Sequence, residues 1–189
     1  TYVRDKYPNI YKNLNFTFHD IDVMPAFKNQ IPYKTIKGVV EHHYGFNHSI
    51  GGIYTFNGED YETINGTPNF WGWGWEDNAV HLRLLNHGIK IAKNHFFNKL
   101  EPKTLEEFIE INTDKKRVFN FDHTKNLLID IKKNNSVEYG INSLSNVDYD
   151  IERIDEKIIM LHVNHFNTLL KIPNETFFKE PPPSCLLYT

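Results

Sequence analysis

Asp20-Ile21-Asp22 sets two carboxylates one residue apart. At the point where a strand opens into a loop, such a pair can direct oxygen ligands at one divalent cation, and that cation can hold a diphosphate. Asp-x-Asp triplets also occur in solvated loops and helix caps, so the weight comes from the neighbours. The aromatic run Asn15 to Phe18 precedes the pair and Val23-Met24-Pro25 follows it, which confines the chain on both sides.

A second constellation is Asn69-Phe70-Trp71-Gly72-Trp73-Gly74-Trp75-Glu76-Asp77-Asn78. Three Trp residues alternating with Gly offer broad aromatic faces on a permissive backbone, and such faces suit the C–H surface of a sugar ring. Asp77, at or near a helix N-terminus, is placed to take a proton from an acceptor hydroxyl, although the helix dipole favours its charged form and lowers its basicity. The plainer reading is a buried aromatic turn with Glu76 and Asp77 as caps. Among the ten histidines, His42-His43, His162 and His165 read as surface groups or satisfied core groups. His123 differs, because Arg117 to Phe121 reads as a strand that delivers it near the acidic pair. An imidazole among carboxylates biases a site from Mg2+ or Ca2+ toward Mn2+.

The elements that must position these groups alternate in type. Asn15 to Phe18 and Ile53 to Phe56 read as strands, the second entered through Gly51-Gly52 and closed by the turn signal Asn57-Gly58. Asp77 to Asn86 reads as a helix with Gly88 beyond its C-terminus. Thr104 with Glu107 has the capping-box spacing for a helix running to about Ile111. Tyr149 to Ile154 and Lys157 to Val163 form a hairpin joined at Asp155-Glu156. Interleaved strands and helices predict an α/β fold, in which ligands gather at the carboxyl ends of strands, the expected place of Asp20, Asp22 and His123.

The 189 residues suit one domain over 1–180, with a flexible Pro-rich tail over 181–189 around Pro181-Pro182-Pro183. A net charge of −3 with no basic run longer than Lys115-Lys116-Arg117 argues against a nucleic-acid partner. Cys185 is the only cysteine, which excludes an intrachain disulfide framework and a Cys-rich zinc site. No apolar run reaches membrane-spanning length, and the opening Thr1-Tyr2-Val3-Arg4-Asp5-Lys6 has no signal-peptide core. Because the first residue is Thr and not Met, an upstream segment stays open.

Taken in order, Phe18-His19-Asp20-Ile21-Asp22-Val23-Met24-Pro25, Gly51-Gly52-Ile53, Ile64-Asn65-Gly66-Thr67-Pro68-Asn69 and Phe70-Trp71-Gly72-Trp73-Gly74-Trp75-Glu76-Asp77 resemble the β-1,4-galactosyltransferase family, including the enzymes of the proteoglycan linker. A weaker echo at Gly140-Ile141-Asn142-Ser143-Leu144 extends the resemblance from about Asn15 to Val163. It implies a GT-A type glycosyltransferase fold, a mixed sheet flanked by helices, here lacking the first nucleotide-binding strands. It also implies inverting transfer from a UDP-sugar to a carbohydrate acceptor, with Asp22 and His123 as Mn2+ ligands and Asp20 supporting the donor or metal shell. By the same resemblance Asp77 is the general base, Glu76 contacts the sugars, and Trp73, Gly52 and Ser49 line the donor and acceptor cleft. The family resemblance points to the Golgi lumen, whereas the missing disulfides and signal fit the cytoplasm.

Departures from the family pattern bear on specificity. Trp75 stands where the family has Gly, and Asn78 and Ala79 replace later carboxylates that contact the acceptor. Ser49 stands where galactose-transferring members carry a Tyr, which leaves room for a hexose or an N-acetylhexosamine. Asn120 replaces a Met that ligates metal in some members. Only about fifteen residues precede Phe16 where the family's uridine-binding strands belong. Two other readings compete with transfer. A non-catalytic carbohydrate-binding relative would keep the aromatic loop without needing both a metal ligand and a base. A metal-dependent hydrolase would need more closely spaced His ligands than the chain offers.

Overall fold

Val39 to Gly45 and Ile53 to Asn57 are buried along almost their whole length, as strands covered on both faces must be. The computed structural model describes residues 2–20, 23–25, 28–69, 74–98, 105–107 and 121–168. Its helices are α1 (Tyr2–Lys6), α2 (Gly58–Thr63), α3 (Glu76–Asn86) and α4 (Phe121–Asn134). Its strands are β1 (Asn15–His19), β2 (Val23–Pro25), β3 (Val39–Gly45), β4 (Ile53–Asn57), β5 (Lys90–Ala92), β6 (Phe97–Asn98), β7 (Leu105–Glu107), β8 (Ser145–Arg153) and β9 (Ile159–Asn167). Among the described residues no helix is long and apolar enough to cross a membrane.

The main sheet has the order β1-β4-β3-β5, and β6 pairs β3 further along. Its β1–β4 and β4–β3 pairs are antiparallel, while β3 runs parallel to β5 and β6, so the sheet is mixed as expected. Tyr54 and Phe56 project from β4 into a core completed by Val40, Ile50, Ile64, Val80, Leu84 and Ile89. From the opposite face Ile53 meets Val23, Ile31 and Tyr44. Helix α3 lies over the first cluster through Val80 and Leu84, and Ala79 receives Leu127 and Ile131 of α4. These positions repeat at the helical period, so each helix buries one stripe.

Local chemistry ends α3 where the sequence predicts. Gly88 adopts φ +67, its N–H donates to the Leu85 carbonyl (3.1 Å), and the Ile89 N–H donates to Leu84 (3.0 Å), the two bonds of a Schellman stop. The β8–β9 hairpin also stands as predicted, with Asp155 Oδ1 accepting from the Lys157 and Ile158 N–H groups at 2.6 and 2.8 Å.

Three expectations change. Asn57 does not close a turn: it caps α2, its Oδ1 accepting from the Glu59 N–H at 3.1 Å. Leu105–Glu107, expected to open a helix, forms β7 and pairs antiparallel with β2, a case of strand partnership overriding local propensity. His123 does not sit at a strand end. It lies in the first turn of α4, which forms because Leu127 and Ile131 can pack on Ala79. The remainder of the expected 117–121 strand and of the expected helix to Ile111, and the tail from residue 181, lie outside the described residues.

Candidate active site

Asp20 follows directly on β1, and its N–H donates to the Gly52 carbonyl at 3.0 Å. The chain before the acidic pair is thus tied to the Gly51-Gly52 turn, while β2 after it is held by β7. Asp22 itself lies outside the described residues.

Asp77 approaches the same turn from α3. Its carboxylate lies so close to Gly51 that a Cβ there would collide with it, and the Ile50 N–H donates to the Asp77 carbonyl at 3.4 Å. Gly52 has φ +74, and a Cβ on it would collide with the Tyr44 carbonyl oxygen. Gly51 is therefore required by close approach, and Gly52 by close approach and backbone conformation together. The charges of Asp77 and, more weakly, Asp20 reach the Tyr54 hydroxyl. Burial first, then Asp77, then Tyr61 and Asp20 hold that phenol protonated far above its ordinary range, against a hydrogen bond with Thr67. Asp20, Asp77 and Tyr54 thus surround one turn.

The other predicted groups are distributed around this centre. Ser49 is 4% exposed and immediately precedes Ile50. Glu76 accepts a hydrogen bond from the Gly74 N–H at 2.9 Å through Oε2, which holds the end of the Trp/Gly loop against α3. Trp75, in the position of a family Gly, adopts the left-handed conformation at φ 70. Trp73 lies outside the described residues. The helical placement of His123 gives no support to its approach to the acidic pair from a neighbouring strand, and among the described residues no group of three or more His, Cys, Asp or Glu side chains is arranged for a metal.

Two motif segments separated by about seventy residues converge at the entrance to the aromatic loop. Asn69 donates from its backbone to the Tyr139 carbonyl (2.7 Å) and from its side chain to Ser143 Oγ (2.8 Å) and the Gly140 carbonyl (3.3 Å). Asn65 Oδ1 accepts from the Asn142 N–H at 2.9 Å, and its carbonyl accepts from Ile141 at the same distance. Buried Arg83 of α3 clamps both segments by donating to the Gly66 carbonyl (2.9 Å) and to the Glu138 carbonyl. Burial pulls its guanidinium down to about 10, which leaves it charged at neutral pH.

A family model described as the N-terminal domain of galactosyltransferase matches residues 23–111, the stretch that holds the Gly-Gly turn, the aromatic loop and Asp77. Over this stretch the chain is similar to the β-1,4-galactosyltransferases. Similar proteins include xylosylprotein 4-beta-galactosyltransferase of Caenorhabditis elegans, 31% identical over 85 residues, which cover 40% of this chain and 29% of that protein. Another is beta-1,4-galactosyltransferase 1 of Bos taurus, 27% identical over 155 residues, covering 73% of this chain and 35% of that one. The chain thus spans about a third of the length of these curated relatives. The fold is that of the GT-A galactosyltransferases. A mutant of Drosophila β-1,4-galactosyltransferase 7 in complex with manganese, UDP-Gal and xylobiose superposes with a TM-score of 0.55 at 19% identity, covering 82% of this chain and 68% of that one. The catalytic domain of the same enzyme with xylobiose gives 0.52 at 21% identity, covering 79% and 66%.

Sequence reasoning reads the Tyr54 run only as a strand and His42 only as a surface or core group. Both residues turn out to border the family's Gly-Gly turn. The adjacent buried pair His42-His43, ahead of three glycines, was the available signal.

Proposed function

We propose that the chain is the catalytic portion of an inverting, metal-dependent glycosyltransferase that moves a hexose or N-acetylhexosamine from a UDP-sugar to a carbohydrate hydroxyl. The observation that carries this reading is the convergence of Asp20 and Asp77 on the Gly51-Gly52 turn, one from a strand end and one from a helix start. The solved relatives with UDP-Gal, manganese and xylobiose support the substrate classes.

In this reading the acceptor hydroxyl oxygen bonds to the anomeric carbon from the face opposite the diphosphate. The bond from that carbon to the diphosphate oxygen breaks with its electron pair, and the hydroxyl proton passes to Asp77. The half-buried carboxylate rests against Gly51, so the turn limits its movement on that side. Glu76 fixes the loop end and Trp73 supplies an apolar face for the sugars.

For the metal, the residues on both sides of Asp22 are held, Asp20 by Gly52 and β2 by β7, which suits a carboxylate pair of fixed direction. Asp22 would hold Mn2+ with Asp20 in support. His123 keeps its place in the ligand set by family resemblance alone. When bound, the metal would neutralise charge on the departing diphosphate. Buried Ser49 would leave more room at the donor sugar than a Tyr does.

The test is titration of UDP into the chain with Mn2+, followed by transfer from UDP-galactose and UDP-N-acetylgalactosamine to a β-xyloside. Asp22→Ala is expected to abolish metal-dependent UDP binding. Asp77→Asn is expected to preserve that binding and the melting temperature while lowering kcat by about 10²–10⁴-fold. Undiminished transfer by Asp77→Asn removes it as base; sugar binding without transfer in the wild type points to the carbohydrate-binding alternative.

A further inference from the structure

Three buried groups meet behind the Gly51-Gly52 turn: the His42 imidazole, the Tyr44 carbonyl and the Gly51 carbonyl. His42 Nε2 lies 3.0 Å from each of the two oxygens. Carbonyls only accept, so Nε2 carries the proton and divides it between them, which makes Nδ1 the bare nitrogen of a neutral ring. That Nδ1 is buried and has no hydrogen-bond partner among the described residues.

The surroundings leave the ring nowhere else to go. Pairing of β3 with β4 shifts register between His42 and Tyr44, and this bulge turns the Tyr44 carbonyl toward the imidazole. Phe96 packs on the ring at 4.8 Å between centroids. A Cβ on Gly45 would lie 2.9 Å from Nε2 and 2.6 Å from the Gly51 oxygen, so the backbone closes tightly over the bifurcated bond.

We propose that His42 is a positioning residue for the reacting site: its Nε2–H fastens Gly51, Gly51 backs the Asp77 carboxylate, and the adjoining Gly52 carbonyl holds Asp20. This rests on the reading of Asp77 as the base. Burial pushes the imidazole down to about 4, with nearby Lys93 and His43 also disfavouring charge and the two carbonyls opposing them. The neutral donor state therefore persists through the working pH range.

The experiment compares His42→Phe, which fills the space without a donor, with His42→Gln, whose amide can supply an N–H at similar reach. In folded full-length chain, His42→Phe is expected to lower kcat at least about tenfold with UDP affinity held within about twofold, and His42→Gln to restore most of it. The second readout is independent of turnover: the Asp77 carboxyl carbon, followed by NMR, changes its titration midpoint by more than about half a pH unit in His42→Phe and returns toward wild type in His42→Gln. A folded His42→Phe with wild-type kcat and midpoint overturns the proposal. If the wild type transfers nothing, the base reading fails and the Asp77 midpoint still decides the role of His42. If His42→Phe does not fold, the wild-type imidazole nitrogen spectrum decides. A neutral Nε2–H ring at pH 5.5, with the Asp77 midpoint unchanged in His42→Gln, supports it, and an Nδ1–H or charged ring overturns it.

Discussion

The β3–β4 ribbon and the β8–β9 hairpin are both antiparallel pairs, yet they treat polar side chains in opposite ways. In β3–β4 the polar groups are interior. Glu41 accepts from the Asn94 backbone and side-chain N–H groups at 2.8 and 3.0 Å, and His43 Nε2 meets Thr55 Oγ1 at 3.0 Å, which in turn meets Thr17 Oγ1 at 2.8 Å. In β8–β9 the register puts Tyr149 opposite Val163 and Ile151 opposite Leu161 on one face, with Asp150 opposite His162 and Glu152 opposite Met160 on the other. Its side chains are largely exposed, Ile151 at 54% and Val163 at 56%, and its polar links, such as His162 to Glu152 at 2.8 Å, compete with water. Burial on both faces makes a polar contact costly to lose and so lets it define geometry. The same contact on an exposed hairpin defines little.

The largest expected contrast is apolar. Phe56→Ala in fully buried β4 should cost about 3–5 kcal/mol, whereas Ile151→Ala in the hairpin should stay within about 0.5 kcal/mol, both read by chemical unfolding. Equal effects would mean that the hairpin is covered in solution. Next comes pH. The native His42 is held to about 4 against an ordinary 6.5, so the folded state binds fewer protons than the unfolded state between these values. Stability is full above pH 6.5 and should fall by about 3 kcal/mol on acidification to pH 4, levelling off only below that value. Subtracting the profile of His42→Gln isolates that slope, and identical profiles would show that the ring is not held neutral.

Smaller effects sharpen the polar side of the contrast. Thr55→Val removes the link between His43 and Thr17 while keeping the shape, and should cost about 1–3 kcal/mol because it strands buried partners. At the hairpin tip, Asp155→Ala removes two acceptor contacts in water and should cost only about 0.5–1 kcal/mol, seen as a small change in melting temperature. A Thr55→Val effect no larger than that of Asp155→Ala would break the distinction.

Much of the site can be read along the chain because its parts are short and local. The acidic pair after β1, the Gly51-Gly52 entry to β4, the α3 start at Glu76-Asp77 and the Asp155 turn each depend on a few neighbouring residues. Legibility fails where the deciding partner is distant. Leu105–Glu107 looks helical until β2 offers an edge, and the segment carrying His123 looks extended until Ala79 offers Leu127 and Ile131 a place to pack.

The sequence alone determined the family motifs, the α/β alternation and the identity of the candidate base, since these follow from residue type, period and spacing. Only the tertiary structure decided that Asp20 and Asp77 share one turn, that His42 stands behind it and that Asn69 is tied to Ser143. Those contacts arise from close backbone approach and buried hydrogen bonding between distant segments, which no local pattern encodes.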